Sequence, residues 1–158
     1  MRAVALIAGE GDALLLLSAL RSLLGFALAC VALVAVNLAG GWLGDVLRLP
    51  QGTVHLAWDL GWVWIAGVLA AWLVARLAPR APRAHVSVWA VLLLGVAIAA
   101  TWQVGDWPRW FAAGIVLGVP LQAWLGARLA LRRRRPGQAA AGRGAQRAGV
   151  AAAPSRNR

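Results

Sequence analysis

The sequence predicts an all-α fold: an integral membrane up-down four-helix bundle with a disordered Arg-rich C-terminal tail. Three observations carry that prediction. Of the 158 residues, 61% are hydrophobic, and they lie in long blocks rather than in the short periodic patterns of a water-soluble core. Four of these blocks reach about 18 residues or more, enough helix to cross about 30 Å of hydrocarbon, at about 23–43, 57–77, 86–104 and 110–130. Beyond Ala130 the composition changes abruptly to Arg, Gly, Ala, Pro and Gln with almost nothing to bury. Two regions follow: residues 1–131 as a four-span domain and 132–158 as a basic tail.

The formal net charge of +11 would point to nucleic acid in a water-soluble chain, but here its placement matters more than its sum. With the N-terminus in the cytoplasm, the inner flanks hold Arg2, Arg21, Arg76, Arg80, Arg83, Arg128 and Arg132 to Arg135, and the outer flanks hold Arg48 and Arg109. This positive-inside pattern places both termini in the cytoplasm. Arg is used without any Lys and Ala is abundant, the coding bias of a GC-rich bacterial genome, so a bacterial inner membrane is the expected location. The short connections leave no room for an extramembrane catalytic or binding domain. Cys30 is alone, which excludes an intrachain disulfide and the dithiol oxidases that need Cys pairs. His55 and His85 fall on opposite membrane sides and cannot share a haem or a metal, so no cofactor or metal is expected.

The N-terminal stretch begins as a signal peptide would, but Glu10 and Asp12 interrupt it. Ala27-Leu28-Ala29-Cys30 has the outline of a lipoprotein cleavage box, yet the chain stays apolar well past Cys30 and so reads as a span. Asp12 is placed to cap a helix beginning at Ala13, and residues 13–20 are apolar apart from Ser18 until Arg21 and Ser22. An arginine at the bilayer midplane costs about 2.5–3.5 kcal/mol, so 13–20 is expected to be an interfacial lead-in rather than part of the first span. Pro50, Gln51 and Gly52 mark the first outer connection, Pro79 and Pro82 the inner one. The short second outer connection, VGDWPRWF at 104–111, makes helices three and four antiparallel neighbours. There Asp106 is expected to cap the fourth helix, with Pro108 in its first turn.

Helix pairs in lipid associate through small residues, and Gly40 with Gly44, and Gly114 with Gly118, have the spacing for it. The ten tryptophans fall mostly at the two interfaces, where an indole buries its ring and keeps its N–H wet. Arg132, Arg133, Arg134 and Arg135 sit where anionic lipid headgroups of the cytoplasmic face would attract them, at about 1 kcal/mol per basic residue. Pro120 and Gln122 predict a kink with local polarity in the fourth span.

One carboxylate asks for a partner. Asp59 falls about a turn inside the outer end of the second span, and Arg109, His55 or Asn37 are its candidates, with an Arg109 ion pair expected. Approach of Asp59 to Asp106 would instead make an acid/base pair of catalytic aspartates. Four spans, cytoplasmic termini and two outer aspartates resemble the architecture of the small lipoprotein signal peptidases. Their Asn-x-x-Asp-Arg and Asn-Ala-Asp blocks are absent, since Leu60 follows Asp59 and Trp107 follows Asp106.

The chain is therefore expected to be a small, non-enzymatic accessory or scaffold subunit, embedded in the lipid bilayer beside a membrane-protein partner or in self-association, with nucleic acid not expected as a partner. The alternatives are a small transporter or channel, with a polar cluster of Asn37, His55, Asp59, Arg109 and Gln122 and an outer vestibule at Asp59 and Arg109, and an intramembrane hydrolase using Asp59 and Asp106.

Overall fold

The computed structural model describes residues 2–78 and 81–132; the tail, with Arg133, Arg134 and Arg135, lies outside them, as does Arg80. Four helices follow in order: α1 (Arg2–Val46), α2 (Thr53–Leu77), α3 (Pro82–Val104) and α4 (Arg109–Arg132). No strand is present among the described residues. All four helices are long and apolar enough to cross a membrane, and the chain is a multi-pass membrane protein. With no water in the hydrocarbon to bond exposed peptide groups, a helix that satisfies its own backbone is the form such sequence takes.

The helix ends follow local chemistry. Past Val46, the Arg48 amide donates to Asp45 O (3.0 Å) and the Leu49 amide to Gly44 O (3.1 Å), with Arg48 left-handed at φ 52°. This is a Schellman closure with arginine in the position that usually takes glycine, and Pro50 follows it. Pro82 opens α3 at its first helical turn, where its missing N–H costs nothing. Two expected caps are absent. α1 runs unbroken from Arg2 through Asp12, although Gly9 and Gly11, both poor helix formers, precede it. At α4, the Pro108 carbonyl accepts from the Phe111 (2.9 Å) and Ala112 (3.1 Å) amides, so Pro108 holds the cap position in place of Asp106.

Up-down connectivity makes α2 and α4 parallel, the diagonal pair of a square bundle. Here they are packed more extensively than any other pair, with α1 against α2 next and α3 more lightly against both α4 and α2. The diagonal closes because α4 offers small residues to α2. Cβ atoms added to Gly114, Gly118 and Gly126 would meet Leu60 Cδ2 at 2.7 Å, Trp64 Nε1 at 2.7 Å and the Val68 carbonyl at 2.6 Å respectively. The core is accordingly built largely of alanine, including Ala66, Ala70, Ala71, Ala75, Ala123 and Ala130.

α1 packs extensively on α2 alone. Gly25 lies against Leu77, the last residue of α2, and Gly44 against Trp58 and His55 near its start. The stretch 25–44 thus spans the length of α2, about 30 Å at 1.5 Å per residue. Residues 13–20 stand beyond the end of α2, on the same unbroken helix.

Candidate functional site

The candidate polar cluster at the end holding Asp59 is built mostly on the first two turns of α2. His55 and Asp59 are one helical turn apart, and His55 Nε2 lies 3.7 Å from Asp59 Oδ2, with side-chain exposures of 18% and 34%. That distance is an ionic contact when the imidazole is protonated and is long for a direct hydrogen bond. His55 Nδ1 is buried and has no hydrogen-bond partner. No ion pair joins Asp59 to Arg109, contrary to expectation; Arg109 is exposed at the first turn of α4. A neighbour at i,i+4 on the same helix face needs no alignment between helices, and this local contact is the one made.

Asn37 also turns inward to its own helix, donating from Nδ2 to the Leu33 carbonyl at 2.8 Å. Asp106 is exposed in the α3–α4 connection, where its amide donates to the Val104 carbonyl at 2.6 Å. Asp59 and Asp106 therefore have unlike surroundings, one half-buried beside an imidazole and the other open.

Gln122 lies elsewhere, in the seam between α2 and α4. It is 2% exposed, its Oε1 packs against Gly67, and its Nε2 is buried without a partner. The α4 helix continues through the neighbouring Pro120.

The glycine pairs receive tryptophans. Trp58 Nε1 donates to the Gly40 carbonyl at 2.9 Å and its ring lies over Gly44; Trp64 Nε1 donates to the Gly114 carbonyl at 3.2 Å and lies over Gly118. In both pairs the first glycine accepts the indole N–H and the second gives the ring room. Trp62 packs on Gly40 and, tilted at 60°, on Trp58, with ring centroids 6.0 Å apart. Trp58 and Trp64 are thus bonded between helices, whereas Trp42 and Trp102 are highly exposed, as a belt requires. Trp89, expected at an interface, is a core residue at 5% exposure with its N–H unpartnered.

Comparison of the chain with models of known protein families, with curated proteins and with solved structures found no match.

A further polar contact joins α1 to α3. Ser22 Oγ stands 3.0 Å from both the Ser18 carbonyl and His85 Nε2, and His85 Nδ1 is 3.3 Å from the Ala81 carbonyl. A carbonyl only accepts, so a hydrogen bond to Ala81 puts a proton on Nδ1; the Ser22 hydroxyl donates to the Ser18 carbonyl, and the direction of its contact with Nε2 is set by the protonation of the ring. Phe26 packs beside it on His85 and Trp89, with centroids 6.4 and 5.9 Å apart. An imidazole oriented in this way can activate a hydroxyl. Ser22, however, donates its single proton to a carbonyl of its own helix, and the contact acts as the tie between α1 and α3. The break that Ser22 makes in an apolar run was visible in the sequence; its partner was not, because it depends on interhelical register.

Among the described residues no three His, Cys, Asp or Glu side chains gather into a metal-binding group.

Proposed function

We propose that this chain is a non-enzymatic accessory or scaffold subunit of a bacterial inner-membrane complex, docked to a larger membrane protein through the exposed part of α1. The observation that carries this reading is the leucine cluster beyond the end of α2. Leu15, Leu16, Leu17 and Leu20 are each at least 61% exposed, on the far side of Arg21 from the stretch paired with α2. Three consecutive leucines sweep about 200° of a helix at 3.6 residues per turn. A helix lying in the headgroup layer keeps one face polar, and only Ser18 interrupts 15–20. Apolar residues on several sides call for cover on several sides, from lipid tails or from another protein's helices, and the charge of Arg21 between these leucines and the stretch paired with α2 favours the protein.

The orientation rests on the arginines. Arg21, Arg76, Arg83, Arg128 and Arg132 occupy one end of the bundle, and Arg48 and Arg109 the other. The positive-inside rule makes the first end cytoplasmic.

Mild-detergent purification of the full chain tests the reading. A specific membrane protein should co-purify with the wild type and be lost from a Leu16→Ser/Leu20→Ser variant of unchanged yield. Recovery of a homo-oligomer alone, with no second protein, contradicts it.

The half-buried His55–Asp59 pair favours a second reading, transport through the outer half of the bundle. Asp59→Asn should alter flux on that reading, and leave everything but assembly unchanged on the first.

A further inference from the structure

The arginine-rich end carries a groove that neither reading uses. It runs between α3 and α4, encloses about 660 Å3 and is open along one side. This is the size of a small-ligand site. The lining is divided by chemistry. Arg83, from the first turn of α3, meets Arg128 and Arg132, from the end of α4, because the two helices are antiparallel. Deeper in, Ala90, Ala123 and Ala127 leave room by their small size, and Pro120 closes the lining toward the membrane interior.

Of the carboxylates whose side chains are described, Asp45, Asp59 and Asp106 all stand at the opposite end, so none of them compensates these charges. Arg128 is held in place, its guanidinium 4.9 Å from the centroid of the Trp124 ring. A guanidinium stacked on an indole keeps its N–H edge free for a bidentate oxyanion. Arg83 stands at the N-terminus of α3, where the helix dipole adds to the attraction for negative charge.

We propose that this groove binds one anionic phospholipid, its phosphate held by Arg83, Arg128 and Arg132 and an acyl chain laid against Ala90, Ala123 and Ala127. The apolar depth decides between anions. A free phosphate or a nucleic acid would use the arginine rim and leave the alanine-lined wall empty, whereas a membrane lipid satisfies both, in the leaflet where the groove opens. A second groove, of about 540 Å3, is lined by residues such as Trp64, Val68, Trp72 and Leu129 and has no charged rim; it fits acyl chains without selecting a headgroup. The proposal depends on the chain being a membrane protein and is independent of the partner-subunit reading.

The test uses the full chain, with its tail, delipidated in detergent and read by native mass spectrometry and thermal melting. Phosphatidylglycerol, phosphatidylcholine and inorganic phosphate are the probes. One phosphatidylglycerol should bind and raise the melting temperature, with phosphatidylcholine and millimolar phosphate doing neither. Arg128→Gln should weaken retention about tenfold, and Arg83→Gln/Arg128→Gln/Arg132→Gln should abolish it. Arg48→Gln/Arg109→Gln at the opposite end should not change it. Ala127→Leu, which fills the apolar part and keeps every arginine, should also lose the lipid, so the result does not hang on one variant. Equal retention of phosphatidylcholine, an equal shift with phosphate alone, or full retention by the triple variant overturns the proposal.

Discussion

Trp64 and Gly114 join α2 to α4 by a hydrogen bond from the indole Nε1 to the glycine carbonyl, 3.2 Å long, with the same nitrogen lying over Gly118 one turn on. The pair fixes the parallel register of two helices that a square bundle would hold apart, and Trp58 repeats the arrangement on Gly40 and Gly44 of α1. Trp64→Phe and Trp58→Phe each remove the N–H and the part of the ring that lies over the second glycine, and should each destabilise by more than the about 0.5–1.5 kcal/mol that one such bond is worth, in reversible unfolding.

The glycines of α4 differ in what they touch. A methyl at Gly126 meets backbone, the Val68 carbonyl at 2.6 Å and the Trp72 amide nitrogen at 2.8 Å, and can be accommodated only by moving a helix. A methyl at Gly114 meets the end of the Leu60 side chain, which can rotate away. Gly126→Ala should cost about 1–3 kcal/mol and Gly114→Ala clearly less, measured by thermal melting in one detergent.

Gln122 contributes a buried amide whose Nε2 has no acceptor. An unmet buried donor costs about 1–3 kcal/mol, and Met has the same length without the donor. Gln122→Met should raise stability by about 1 kcal/mol if Gln122 only packs. A loss of function in a variant of raised stability would instead assign the amide a role in transport.

Arg48 holds the left-handed position in the closure of α1, which disfavours a side chain by about 1–2 kcal/mol. Its side chain is exposed. Arg48→Gly should stabilise the chain by up to about 1 kcal/mol, glycine's greater freedom in the unfolded chain offsetting part of the gain. A lower melting temperature would show that the guanidinium itself anchors this end.

The tie between α1 and α3 is narrow. Ser22→Ala removes the hydroxyl that His85 Nε2 contacts, and hydrogen exchange should rise over the first turns of α3 while the α2–α4 seam stays protected.

The spans were legible because length and apolarity alone decide which segments cross a bilayer; the helices over Thr53–Leu77, Pro82–Val104 and Arg109–Arg132 start and end within a few residues of the expected spans. For the first helix the span was legible and the start was not: the helix runs past the cap signal at Asp12 and through Gly9 and Gly11. Glycine spacing identified where a helix can be approached and left open by which neighbour, so the α2–α4 diagonal needed the structure. Asp59 was recognised as a group in need of a partner. The contact with His55 rather than Arg109 follows from proximity on one helix, a local rule that prevails over the fuller charge of arginine.

A photocrosslinking residue at Leu16 in native membranes tests the central claim, docking through the exposed part of α1. The expected result is a discrete adduct with one other membrane protein, absent when the same group is placed at exposed Val91 of α3. Adducts with lipid alone at both positions, or with a second copy of this chain alone at Leu16, would contradict it.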